Sequence, residues 1–199
     1  MTISPDAGHE RPRQLRPTEV KRLNRMWRRA TQARLALLLD SVTQPFNVGS
    51  IARSAAAFGV EHIWLCGNTA PLDHPAARKA ALGTERFLSA EREASPATAA
   101  EAATAAGLRV VAVELASGAV PLYEAPLGGD VCIAIGNEDH GCSPALLAAC
   151  DAAAYIPLVG RVGSLNAAVA AAIALAEARR REWADGSAHQ SPDTESSPG

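Results

Sequence analysis

The sequence predicts an α/β fold, a mainly parallel sheet with helices on both faces, and three observations carry that prediction. First, β-branched and leucine-rich runs at 34–42, 62–66, 109–115, 131–135 and 154–158 read as buried strands. Second, Ala-rich helical stretches separate them, the alternation that makes a mainly parallel sheet. Third, the runs at 131–135 and 154–158 each feed a loop rich in glycine and polar residues. Loops leaving the ends of neighbouring strands are where such a sheet builds a ligand site.

Taken in order, residues 1–16 are polar with Pro and Gly and are expected to be disordered. Pro17 opens a basic helical arm over 17–33, with Leu23, Met26, Trp27 and Ala30 as a narrow apolar stripe at helical spacing. The arm is expected to dock by that stripe and leave its cations outward. The run 34–42 (RLALLLDSV) is broken by Gln44-Pro45-Phe46, and Asn47 is expected to cap a helix over 48–58 that Gly59 closes. A strand at 62–66 turns at Gly67-Asn68, and 69–82 holds loop and short helix. A short strand is expected at 86–89, a helix at 96–106 ended by Gly107, and a strand at 109–115. Residues 118–129 read as irregular, and a short helix at 144–149 precedes the last strand. A long Ala-rich helix completes a domain spanning 34–185, and the Ser/Pro-rich tail 186–199 is expected to be disordered.

The length of 199 residues suits one domain with short appendages, and 48% apolar residues suffice for a core. Aromatics are only 4%, so that core must come from Ala, Val, Leu and Ile. The net charge of -2 hides an asymmetry: nine Lys/Arg fall between Arg11 and Arg34 against one acid, Glu19. Such a segment fits either a polyanion partner or a solvated helix face. The cysteines Cys66, Cys132, Cys142 and Cys150 form no CxxC pair and no metal-like spacing with histidine, which favours buried free thiols. Nothing resembles a signal peptide, and no run reaches the ~18–20 apolar residues of a membrane span. A cytoplasmic, reduced protein is expected.

The commonest use of such a sheet is dinucleotide binding, which wants GxGxxG after the first strand. Here that strand is followed by TQPFNVGSIARSA, with a single glycine, and no GxxxxGK[ST] occurs anywhere. What the first loop carries is Asn47, Gly49 and Arg53, which fit a helix cap and a solvated arginine as well as a site. Glu138, after Gly136-Asn137, fits a turn carboxylate or a functional one. Ser164 is placed to cap the following helix, with Asn166 in its first turn.

Together these loops resemble the SpoU/TrmH family of SPOUT methyltransferases. The resemblance rests on three motifs in the family's order, covering roughly residues 34–180. They are LDSVTQPFNVGSIARSAAAFGV (39–60), IAIGNEDHGCSP (133–144) and YIPLVGRVGSLNAAVAAAIALAEA (155–178). The resemblance implies S-adenosylmethionine-dependent 2′-O-methylation of RNA ribose, with no metal, by a homodimer. It also implies that the C-terminal part is threaded into a deep trefoil knot, against the general rule for chain connections. By the same resemblance, backbone at Gly136, Ile156 and Leu165, with Leu158 lining the pocket, holds the donor. The resemblance gives Arg53 the removal or hydrogen bonding of the ribose hydroxyl proton; because arginine is a poor base, orientation and electrostatics are expected over literal proton abstraction. Asn47, Glu138, Ser164 and Asn166 complete the catalytic set. A non-catalytic donor- or RNA-binding relative would be marked by loss of Arg53 or Asn166, and both are present.

The short basic arm, with no separate RNA-binding domain expected before residue 34, looks most like the branch that methylates guanosine 18 of tRNA. A tRNA D-loop guanosine is therefore the first expectation and 23S ribosomal RNA the second. Arg22, Arg25, Arg28 and Arg29 are the expected RNA contacts. Replacing these four by uncharged residues should weaken RNA binding and flatten its dependence on salt, while donor affinity stays unchanged. Binding isotherms at several salt concentrations check this, and an unaltered salt slope contradicts it.

Overall fold

The structure, a computed structural model, describes residues 12–185. The disorder expected at 1–16 and 186–199 therefore falls, apart from residues 12–16, outside the described residues. The chain divides into two compact units, Met1–Gln32 and Ala33–Gly199.

In the first unit, helix α1 spans Pro17–Ala30. Proline suits the first helical position because its missing N–H would have had no partner there. The Arg16 amide donates to Glu19 at 2.7 Å, and the Arg13 guanidinium pairs with the same carboxylate at 2.7 Å. These bonds, the one from Arg13 foremost, bring the Glu19 carboxyl down to about 2. The expected apolar stripe is present, but no residue of α1 is buried; Leu23 and Met26 are 39% and 42% exposed. Arg22, Arg25, Arg28 and Arg29 are exposed along the helix.

The second unit carries strands β1 (Leu35–Asp40), β2 (His62–Cys66), β3 (Ser89–Glu93), β4 (Arg109–Val113), β5 (Val120–Pro121), β6 (Val131–Ile135) and β7 (Ala152–Tyr155). Helices α2 (Pro45–Phe58), α3 (Pro75–Ala81), α4 (Pro96–Ala105), α5 (Pro144–Ala149) and α6 (Ala167–Asp185) alternate with them. The strands form one sheet in the order β3-β2-β1-β6-β4-β7-β5, and every pairing is parallel. A parallel sheet must be covered on both faces, and successive side chains divide accordingly. Leu37, Leu39, Ile63, Ile133 and Ile135 pack with Val48 and Ile51 of α2 and Ala171 and Leu175 of α6. Leu38, Trp64, Val110, Cys132 and Ala134 pack with Ala99, Ala103 and Leu146 of α4 and α5. All six residues of β1 are buried.

Several boundaries differ from expectation for physical reasons. Helix α2 begins at Pro45 rather than Val48, because proline fills a first helical turn more readily than it breaks one. Asn47 is therefore inside the helix and does not cap it. Residues 84–87 form a 3-10 turn, and the strand expected at 86–89 runs instead over Ser89–Glu93 on the sheet edge, where its charged SAERE sequence is tolerated. Strand β7 stops at Tyr155, short of Pro157. The segment 118–129, expected to be irregular, contributes the short β5 and a 3-10 turn at Leu122–Glu124. Among the described residues no helix is long and apolar enough to cross a membrane.

Arg179, in the basic run that ends α6, is 4% exposed and serves the fold. It donates to the carbonyls of Phe58 (2.8 Å) and Gly59 (3.1 Å), satisfying the end of α2, and to Ala33 (2.8 Å) and Glu182 (2.7 Å). Gly49 is equally structural: a Cβ there would fall on the main-chain carbonyl of Ala77, where α3 crosses α2. In an open helix, Gly→Ala gains about 1 kcal/mol of propensity. At this crossing the overlap is with backbone, and overpacking of that kind costs roughly 1–3 kcal/mol. Gly49→Ala is expected to lower the urea midpoint with little change in slope; a raised midpoint would show that the crossing is looser than the geometry states.

Candidate active site

The C-terminal ends of β4, β6 and β7 open into a cavity of about 330 Å³. Three segments build it: Val113–Leu115 after β4, Ile135–Gly141 after β6, and Tyr155–Leu165 leading to α6. The volume lies within the range of small-ligand sites, roughly 300–1,000 Å³.

The loop after β6 is shaped by its own backbone. Asn137 and Gly141 exchange main-chain hydrogen bonds at 2.9 Å, while the Asn137 side chain donates to the Ser41 carbonyl (2.7 Å) and accepts from Asp139 N and His140 N. Gly141 has φ +69°, which only glycine adopts cheaply, and a Cβ there would strike the Glu114 carboxylate. A Cβ at Gly136 would strike the Gly141–Cys142 backbone. Gly136 was expected to let the main chain approach a donor; its first requirement is the folding back of its own loop.

Asn47, Glu138 and Asn166 come together from three loops. The Asn47 amide nitrogen donates to Glu138 Oε1 at 2.8 Å, and its Oδ1 accepts from Asn166 Nδ2 at 2.9 Å. Glu138 also accepts from the amides of Thr43 and Gln44, each at 3.2 Å, at the start of α2. Burial pushes the Glu138 carboxyl up, but the bonds from Asn47 and from the main chain outweigh it and hold it below the ordinary carboxylate value. Asn166 caps α6: its Oδ1 accepts from Ala168 N (2.9 Å) and Val169 N (3.3 Å). Ser164 was expected in that role, yet it is exposed and two residues too early, on the cavity wall.

Of the residues the sequence singled out, Gly136, Ile156, Leu158 and Leu165 all line the cavity, together with Glu138 and Ser164. Asn47 stands behind Glu138 and is 5% exposed. Arg53 lies outside the wall, exposed on α2 one turn beyond Gly49. Arg22, Arg25, Arg28 and Arg29 belong to the other compact unit. The sequence reading missed Glu114, whose carboxylate accepts from Leu115 N (2.9 Å) and Cys142 N (2.8 Å) in the cavity wall. An acid ending a buried strand was the available signal. It also missed Asp40, 4% exposed, which accepts from Ser143 N at 2.8 Å and so ties β1 to the start of α5. The four cysteines are free thiols, and burial raises each, Cys150 to about 11 and Cys66 to about 12. Among the described residues no three His, Cys, Asp or Glu side chains converge as a metal site.

The family model for the SpoU rRNA methylase family matches residues 34–176. The 23S rRNA (guanosine-2′-O-)-methyltransferase RlmB of Acinetobacter baylyi is 36% identical over 148 residues, 74% of this chain and 60% of that protein. The crystal structure of the SpoU methyltransferase AviRb from Streptomyces viridochromogenes with AdoMet superposes with a TM-score of 0.70 at 33% identity, over 77% of this chain and 62% of that one. The A. aeolicus TrmH/SpoU tRNA modifying enzyme gives 0.70 at 26% identity, over 85% and 86%. The chain spans about three-fifths of the length of the first curated relatives it matches, 60% for RlmB and 56% for RlmP of Bacillus subtilis.

Because Glu138 is held below the ordinary carboxylate value, its contribution to stability is complete above that value and is lost as pH falls through the lowered one. Thermal melts of wild type and Glu138→Gln from about pH 7 down to about pH 3 should converge on the acid side, with the variant less stable at neutral pH. A constant gap between the two curves would show that the charge of Glu138 does not matter to the fold.

Proposed function

The chain belongs to the SpoU rRNA methylase family, and from that premise we propose that it transfers a methyl group from S-adenosylmethionine to a ribose 2′-hydroxyl of RNA. The observation that carries this reading is the cavity at the ends of β4, β6 and β7, because all four residues expected to hold the donor line it. The acidic wall and the apolar Ile156, Leu158 and Leu165 suit a cationic, partly apolar donor, which supplies the methyl as a sulfonium. In the transfer the carbon–sulfur bond breaks, a carbon–oxygen bond forms to the ribose, and the hydroxyl proton passes to solvent.

A 2′-hydroxyl is a weak nucleophile, so orientation and neutralisation of nearby charge matter most. Arginine stays protonated in proteins. Arg53 therefore acts by gripping phosphate or ribose rather than by taking the proton, and its exposure on α2 suits contact with a large substrate. The Asn47–Glu138–Asn166 chain holds the loops in register around the donor, and Ser164 on the wall is free to meet the ribose. A homodimer through the outer faces of α2 and α6 is part of the proposal. It is supported by Phe46, Val169 and Ile173, apolar yet 66%, 47% and 37% exposed there. So is the threading of the C-terminal segment into a trefoil knot, by likeness to the family.

For the substrate we favour tRNA, with the D-loop guanosine first. The exposed cations of α1 and the mutual coverage with the A. aeolicus tRNA modifying enzyme support it. The second reading is 23S ribosomal RNA, favoured by the name of the RlmB relative. Either RNA makes a cytoplasmic setting the natural one. Methyl transfer from labelled donor to bulk tRNA and, separately, to ribosomal RNA tests both, with Arg53→Ala beside wild type. Label in tRNA ribose, reduced on the order of a hundredfold or more in the variant, is the expected result. Label in ribosomal RNA only would keep the chemistry and replace the substrate. Donor binding without transfer to either would identify a non-catalytic binding protein.

A further inference from the structure

The charge of the cavity wall is lopsided. Glu114, Glu138 and Asp139 line it, and no lysine or arginine does. Glu138 is spent on the start of α2, where the positive end of the helix and the Asn47 amide offset its charge. Asp139 is exposed. Glu114 differs from both: it is half-buried, its partners are the Leu115 and Cys142 amides and the Cys142 thiol, and it makes no ion pair among the described residues. These neutral partners fix its carboxylate in the wall but leave its charge uncompensated. Gly141, whose missing Cβ admits the carboxylate, keeps it pressed against the loop after β6.

A fixed, uncompensated anion in a partly enclosed site lowers the free energy of a cation beside it by far more than it would in water. The methyl donor carries a sulfonium, an ammonium and a carboxylate, net +1; the thioether left after transfer carries only the last two, net zero. We infer that Glu114 is a specificity-determining residue, whose carboxylate makes the cavity favour the cationic sulfonium donor over its neutral thioether product. This rests on the donor-site reading above and adds to it. Transfer itself then discharges the interaction that held the donor, so the spent product is held more weakly and leaves.

The test measures affinity without turnover. Calorimetric titration of the full chain with S-adenosylmethionine and with S-adenosylhomocysteine gives a ratio of dissociation constants for wild type, Glu114→Gln and Glu114→Asp. Wild type is expected to prefer the sulfonium. Glu114→Gln should lose on the order of tenfold in sulfonium affinity and change the thioether little, while Glu114→Asp should restore the preference. Equal weakening of both ligands in Glu114→Gln would reduce Glu114 to a loop fastener and overturn the inference. A wild type that prefers the thioether overturns it too, whatever the variants do. Binding of neither ligand by wild type would overturn the donor-site reading and this inference with it.

Discussion

The second unit depends on one short chain of hydrogen bonds, Glu138 to Asn47 to Asn166. Its links join residues 91 and 119 positions apart in sequence. Each member also closes something local: Glu138 the start of α2, Asn166 the start of α6, and Asn47 a buried position where an amide would otherwise lack partners. A buried amide left unpaired costs about 1–3 kcal/mol, so replacing either Glu138 or Asn166 alone places that cost on Asn47 between them. The three loops therefore hold their mutual geometry as a set. A site assembled from distant loops needs that property if a cavity of about 330 Å³ is to keep its shape.

The wall of that cavity mixes glycines with apolar and acidic side chains. Gly136, Gly141 and the Asn137 turn leave no room for side chains where the loop after β6 folds back, so the backbone there packs on itself. The charged side chains set on it then decide the sign of ligand accepted. Division of labour between backbone and a few carboxylates explains why the loop sequence looks glycine-rich and acidic at once.

Much of this was legible beforehand. The buried runs at 62–66 and 131–135 became β2 and β6 with the expected limits, because an apolar run between turn residues has few alternatives in a parallel sheet. The site loops were legible because their residue types are costly unless used. What could not be read was partnership. Asn47 looked like a cap since asparagine usually caps, and its neighbour Pro45 looked like a breaker; Pro45 opens the helix instead, and Asn47 inside it bonds to the distant Glu138. Gly49 looked like a site residue and is a helix crossing, which requires knowing where Ala77 lies. Glu114 was passed over because its meaning comes from Cys142 and Leu115, one of them on another loop. The three consecutive arginines 179–181 look alike in the sequence, yet Arg179 is buried and pairs with Glu182 while Arg180 and Arg181 pair with Glu177.

Arg179 and Glu182 also set a clock on biosynthesis. The amide and carbonyl of Ala33, and the last carbonyls of α2 at Phe58 and Gly59, find their partners on these two side chains, up to 149 residues later. While the ribosome still holds the stretch around 179–182, β1 and α2 are complete in sequence but lack the groups that close them. Closure at such separation pays its loop entropy late. The ends of β1 and α2 therefore stay without these partners until residues 179–182 have emerged.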